Sequence, residues 1–267
     1  MIIEAGIQGL ITILTNKNIW LTRPPEQVGE LRKELERLGA HVLSFPLLTI
    51  RPIDLAPAAK QRLMNLDQYD LVFFVSTNAA RIGLDVIAGI WPQYPAHILN
   101  FAVGPSTAAE IESHALPVCY PRDRMSSEAM LELPQLQDIS GKKALIVRGV
   151  GGREILAEGL LVRGVSVDYA ELYERAVPVY TNGQLRRCLQ QHTPEAIVVS
   201  SAEALDNLRQ LYEPLALEKL PWQQFPLYVT SDRLAEHAHG SGYTSVITMA
   251  GATDKAIIDG LMTAFGE

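Results

Sequence analysis

The sequence predicts an α/β protein of two similar domains, each a mostly parallel sheet flanked by helices. Three observations predict it. Short apolar runs alternate with stretches of helical spacing along the chain, the runs are apolar at consecutive positions, and the second half repeats the first. Consecutive apolar positions suit strands buried on both faces of a parallel sheet, and a fixed offset between halves marks an internal duplication.

The elements follow in order. Residues 1–18, MIIEAGIQGLITILTNKN, are apolar but include Glu4 and lack both a basic leader and a small-residue cleavage site. They fit neither a secretory signal nor a membrane span. They read as an N-terminal extension, such as a misplaced start codon would add. The expected strands of the first half are IWLT (19–22), HVLSF (41–45), DLVFFVS (70–76), ILNFAVG (98–104) and PVCY (117–120). Those of the second are ALIVRG (144–149), SVDYAELY (166–173), AIVVSS (196–201), PLYVTS (226–231) and SVITM (245–249). Between the first two strands, Val28, Leu31, Leu35 and Leu38 have the spacing of a helix packed on one face.

The repeat aligns Arg23 and Gly39 with Arg148 and Gly164 at an offset of 125. Ser76 and Ala80 pair with Ser200 and Ala204 at 124, and Val103, Ala109 and Glu110 with Val229, Ala235 and Glu236 at 126. Ala129 pairs with Ala256 at 127. Two domains facing one another are expected, either sequential or crossed. FPLLTIRPID (45–54) and DYAELYERAVPVY (168–180) are proline-interrupted stretches of β-formers at equivalent places. They read as paired connectors running between the domains.

The bulk numbers limit the function. A chain of 267 residues with 48% apolar and 20% charged residues is an ordinary globular protein. Its net charge of −7 argues against a nucleic-acid partner, which needs a basic face. An anionic small molecule remains open, because salt screens charge beyond about 8 Å and a local group of arginines then sets the field. Two cysteines, Cys119 and Cys188, form no disulfide framework and point to a reducing cytoplasm. His237 and His239 are two apart on an expected helix and cannot share a metal, and the other histidines have no ligand spacing, so no metal is expected.

The densest motif is ALIVRGVGGREILAEGLLVRG (144–164), a strand, a turn of Arg148, Gly149, Gly151, Gly152 and Arg153, and a helix. Glycines there bring backbone N–H groups to an anion at a helix N-terminus. The plain alternative is a tight turn with two solvated arginines. The spacing is neither a dinucleotide fingerprint nor a nucleotide P-loop. Arg23, before Pro24 and Pro25, holds the place equivalent to Arg148. Ser76, Thr77 and Asn78 end one strand, and Ser200, Ser201 and Ala202 end its duplicate. Thr107 with Glu110, and Ser200 with Glu203, have capping-box spacing. Capped helix N-termini at strand carboxyl ends are where α/β proteins bind ligands. Gly104, Ser106, Thr107 and Ser231 complete the expected binding set. Tyr173, on the second connector, is either core or a cleft-lining acid. A free phenol stays protonated at neutral pH and can donate to a leaving hydroxyl.

In their order along residues 19–265, TRP (22–24), LGAHVLSFPLL (38–48), DLVFFVSTNA (70–79), FAVGPSTA (101–108), YPRDRMSSEAML (120–131), GKKALIVRGVGGRE (141–154) and LYER (172–175) resemble the uroporphyrinogen-III synthase family. The resemblance implies two α/β domains joined by a two-stranded β ladder. One would combine 19–46 with 180–265 and the other would span 54–164, with 47–53 and 165–179 as connectors. It implies a cyclising hydro-lyase of haem biosynthesis, cofactor-independent, that converts hydroxymethylbilane to uroporphyrinogen III with inversion of ring D through a spiro intermediate. It implies Tyr173 as the residue assisting hydroxyl loss, and many contacts through backbone amides. A cytoplasmic monomer with a linear tetrapyrrole substrate is expected, in transient contact with the preceding pathway enzyme. The competing reading is a non-catalytic two-domain protein that closes on an anionic metabolite; it needs the arginines but not Tyr173.

Overall fold

The computed structural model describes residues 13–215, 217 and 220–266. The chain divides into two compact units, residues 1–49 with 176–267, and residues 50–175.

The first unit holds a five-stranded sheet in the order β11-β10-β9-β1-β2. Its strands are β1 (Asn18–Leu21), β2 (His41–Ser44), β9 (Ala196–Val199), β10 (Leu227–Val229) and β11 (Val246–Thr248). All pair in parallel, β1 aligning Trp20 with Leu43 on one side and with Ile197 on the other. Period-two alternation sends Trp20, Ile197, Val199 and Leu227 into one core and Ile19, Leu21, Val198 and Tyr228 into another. Both faces of the central strands are covered, so β9 and β10 are apolar throughout. The helix α1 (Gly29–Arg37) forms where the spacing predicts it, with Val28, Leu31, Leu35 and Leu38 buried. Pro25 opens a short 3-10 turn before it, a place that needs no N–H.

The second unit holds a six-stranded sheet in the order β3-β8-β7-β4-β5-β6. Here β3 is Thr49–Pro52, β4 Leu71–Phe74, β5 Leu99–Ala102, β6 Val118–Cys119, β7 Lys143–Gly149 and β8 Ser166–Ala176. Leu71, Phe73 and Phe101 pack on one face, with the Phe73 and Phe101 rings stacked at 4.7 Å. Val72, Phe74 and Ala102 pack on the other. Each such fully buried Leu or Phe contributes about 1.5–3 kcal/mol.

The halves are crossed. Apart from β3, each sheet takes two strands from one half of the repeat and three from the other. The order β2-β1-β9-β10-β11 in one unit matches β8-β7-β4-β5-β6 in the other. The two stretches expected as connectors are neighbours in the second sheet, and β8 also pairs β7 from Lys143↔Ser166 to Gly149↔Tyr173. Ladder bonds therefore hold residues 166–175 inside the second unit. Of residues 1–18, 1–12 lie outside the described residues. Leu14 is fully buried in the first unit's core, and Lys17 pairs with Glu195 at 2.7 Å, so that unit starts before Ile19.

Candidate functional site

In the second unit the carboxyl ends of β4, β5, β7 and β8 converge on a cleft of about 450 Å³. Strand β4 runs into Ser76, whose extended backbone (φ −165°) lets its Oγ accept from the Ala79 N–H at 3.0 Å. That cap starts α3 (Thr77–Ile90) and leaves the first-turn amides of Thr77 and Asn78 to other partners. Strand β7 runs into the glycine turn. Gly151 and Gly152 have φ of +75° and +118°, where a side chain would be strained. Among the described residues the amides of Gly151, Gly152 and Arg153 make no hydrogen bond, which suits them to an anion. The turn ends at Glu154, before α6 (Ile155–Val162).

Tyr173 sits against this turn, only 4% exposed. Its phenol oxygen lies 2.8 Å from Ser76 Oγ, and its backbone carbonyl accepts from the Val150 N–H at 2.7 Å. A Cβ on Gly149 would come within 2.6 Å of the Tyr173 ring, so the close approach requires glycine there. The register shift between Arg148 and Gly149 brings Tyr173 opposite Gly149.

Arg148 lines the same cleft but is already engaged. Its guanidinium pairs with Glu154 at 2.8 Å and Glu171 at 3.2 Å, and lies 3.9 Å over the Tyr169 ring. The Tyr169 hydroxyl donates to the other oxygen of Glu154. Hydrogen bonds from Tyr169 and Arg148 hold the Glu154 carboxyl below its usual value, while burial and the Glu154 contact push the Tyr169 phenol up to about 12. Arg153 is exposed on the cleft wall and makes no ion pair among the described residues.

The remaining expected residues are placed unevenly. Thr77 is exposed on the first turn of α3, with its hydroxyl 3.5 Å from that of Thr107. Asn78 is half-buried beside it. Gly104 precedes α4 (Pro105–Ser113) as its N-cap, Ser106 is exposed in the first turn, and Thr107 is buried inside the helix. Thr107 is therefore no cap. Its spacing to Glu110 was a coincidence of sequence, because Pro105 starts the helix two residues earlier. Met125, Ser126, Ser127 and Arg175 also line the cleft and were not expected. Ser126 caps α5 (Ser127–Leu131) through the Ala129 N–H at 3.2 Å. Two serines before Glu128 and an apolar pair were the available signal.

The first unit has a counterpart at its strand ends. Arg23 donates to Ser200 Oγ at 3.2 Å and to the Ala252 carbonyl at 2.6 Å, and lies 3.8 Å from Asp254. Ser201 caps α8 (Ala202–Tyr212) through Ala204, and Ser231 caps α9 (Asp232–Gly240) through Leu234. Ser201, not Ser200, thus matches Ser76, and Ser200 opens no capping box. Adjacent serines leave the sequence alignment degenerate by one residue, and the cap settles it. A larger cavity of about 640 Å³ lies beside β11 and α10 (Asp254–Gly266). It contains none of the expected residues, and its charged side chains Lys255 and Asp259 pair with each other. Its volume therefore counts for less than the chemistry of the smaller cleft. His237 pairs with Asp206 at 2.8 Å, which accounts for one of the two neighbouring histidines.

Parallel sheets with capped helices at their strand carboxyl ends define an α/β protein of the class that receives small-molecule ligands there. The sequence profile described as "Uroporphyrinogen-III synthase HemD" matches residues 29–259. The chain belongs to the uroporphyrinogen-III synthase family. It is similar to uroporphyrinogen-III synthase of Salmonella typhimurium, 35% identical over 251 residues that cover 91% of this chain and 99% of the relative. It is also similar to that of Escherichia coli, 33% identical over 249 residues with the same coverage. In fold it resembles the crystal structure of uroporphyrinogen-III synthetase from Helicobacter pylori, with a TM-score of 0.57, 14% identity and coverage of 93% and 99%.

Proposed function

We propose that this chain converts hydroxymethylbilane, a linear tetrapyrrole with eight carboxylates, to uroporphyrinogen III, releasing water and inverting ring D through a spiro intermediate. The observation that carries the assignment is the family match across most of the chain. Tyr173 gives the reaction a chemical locus: a phenol held at 2.8 Å from Ser76 beside a cleft lined with amides and a guanidinium.

The substrate ionises readily at its hydroxymethyl carbon, so catalysis consists chiefly of folding the chain and orienting its ends. Orientation of this kind supplies about 7–11 kcal/mol in favourable cases, and a positioned acid adds roughly 10²–10⁴-fold. Tyr173 is the proposed acid for hydroxyl loss. The amides of the glycine turn, the first turn of α3 and Arg153 are the proposed carboxylate contacts, with Ser106 and Thr77 beside them. Arg148 holds the turn in shape through Glu154 and Glu171. In the first unit Arg23, Ser200, Ser201, Ala202 and Ser231 form the second proposed set.

The free thiols Cys119 and Cys188 support a reducing, cytoplasmic setting. No described helix is long and apolar enough to cross a membrane. A working monomer and a passing contact with the enzyme that supplies the bilane belong to the same proposal.

The test is the isomer ratio after incubation with freshly made hydroxymethylbilane, read by chromatography of the oxidised porphyrins. Predominant type III is expected. Type I alone, at the spontaneous rate, overturns the assignment, and binding of product without isomer selectivity would replace it with the non-catalytic reading.

A further inference from the structure

We infer that Ser76 is a positioning residue for Tyr173: it donates its hydroxyl hydrogen to the phenol oxygen and so turns the phenol's own proton toward the leaving hydroxyl. The inference deepens the proposed function and rests on it.

The hydrogen-bond inventory carries the argument. A serine hydroxyl has one hydrogen to give and two lone pairs. One lone pair of Ser76 Oγ is taken by the Ala79 N–H at 3.0 Å. The Tyr173 oxygen lies 2.8 Å away, so the pair can be written in two ways. If Tyr173 donates to Ser76, its proton points into the cap and away from the cleft. If Ser76 donates, the phenol's proton is free, and the oxygen behind it already holds a donor. Only the second arrangement serves an acid.

The surroundings keep the phenol in place for it. Gly149 lets the ring lie flat against the turn, and the Val150 N–H fixes the Tyr173 carbonyl at 2.7 Å. The ring is 4% exposed, so its oxygen has few competing partners from water. Ser76 also opens α3, and the positive end of that helix favours negative charge developing on the phenol oxygen.

The phenol O–H bond breaks and its proton joins the leaving hydroxyl. The C–O bond breaks, water departs, and the pyrrole nitrogen's electrons fill the vacancy to give an azafulvenium cation beside a phenolate. The phenolate accepts hydrogen bonding from Ser76. It recovers a proton when the α-carbon joined in ring closure loses its own.

Capping and positioning make different predictions, because glycine at an N-cap costs a helix little whereas it carries no hydroxyl. In Ser76→Gly, Tm should stay within a few degrees and KM near the native value, while kcat for type III formation falls about tenfold. Ser76→Thr, which keeps the hydroxyl, should restore most of kcat. Added to Tyr173→Phe, Ser76→Gly should cost nothing further. Native kcat in Ser76→Gly overturns the inference, as does an equal loss with and without the phenol. Native kcat in Tyr173→Phe alone instead removes the phenol from the proposed mechanism and takes the inference with it, an outcome distinguishable from the others.

Discussion

The strand-end sites of the two units began as copies and now differ in the residues that matter. Both have an arginine at the carboxyl end of the strand that pairs with the partner half, and both have a serine capping the helix after the neighbouring strand, Ser76 in one and Ser201 in the other. At the arginine offset, however, the counterpart of Tyr173 is Leu48, and the counterpart of Glu171 is Pro46. Pro46 follows the end of β2 at Ser44, whereas β8 continues to Ala176. One copy thus has a short strand and mainly neutral partners for Arg23, and the other has a long strand bearing Tyr169, Glu171 and Tyr173. The shared features are general anion-friendly geometry. The features found only in the second unit could do chemistry.

The largest test of that contrast is Tyr173→Phe, which should lower kcat by about 100-fold or more while Tm barely moves. Leu48→Met, at the duplicate position, should leave kcat within about twofold. Stability comes next. Arg148→Ala strips two carboxylates of a guanidinium whose side chain is 12% exposed. Their own partial exposure screens the loss to on the order of 2 kcal/mol by denaturant unfolding. Arg23→Ala, with mainly neutral partners, should cost about 1 kcal/mol. If the two are equal, the units do not differ as described. Arg153→Ala should raise KM for the bilane about fivefold and flatten its dependence on salt, with Tm unchanged. An unmoved KM would reduce the glycine turn to a turn.

The smallest effect is in acid. Hydrogen bonds from Tyr169 and Arg148 lower the Glu154 carboxyl from its reference 4.5, so its share of stability is present above that value. That share is lost as pH falls through the lowered one. Thermal melts from pH 6 to pH 3 should show a steeper decline in the native chain than in Glu154→Gln. Parallel curves would show that Glu154 contributes nothing through its charge.

Much of the fold was legible. Each expected strand appears within a few residues of its place, because strands buried on both faces must be apolar at every position. The four leucine and valine positions of α1 were legible for the matching helical reason. What local pattern could not supply was partnership. Nothing near β1 says that its neighbour is β9, and nothing in VGGRE says that Glu154 will hold Arg148. Capping boxes failed in the same way. Thr107 and Ser200 have the spacing and not the backbone, while Thr181 with Gln184 forms the full box. The cap depends on where the preceding strand ends, and for Ser200 the strand runs one residue too far. Tyr173 is marked by position and resemblance, yet its contact with Ser76 joins residues 97 positions apart in the chain, which no motif encodes.

The crossed strand order has a consequence for synthesis. The second unit is one continuous segment, so its sheet can close as soon as residue 175 is clear of the ribosome. Strands β1 and β2 are made first, yet β1 must wait for β9 before its free edge is sealed. During that wait an apolar pair of strands is open to wrong neighbours, and a ribosome stalled in the last third would release a chain with one finished lobe and one sticky, unclosed ribbon.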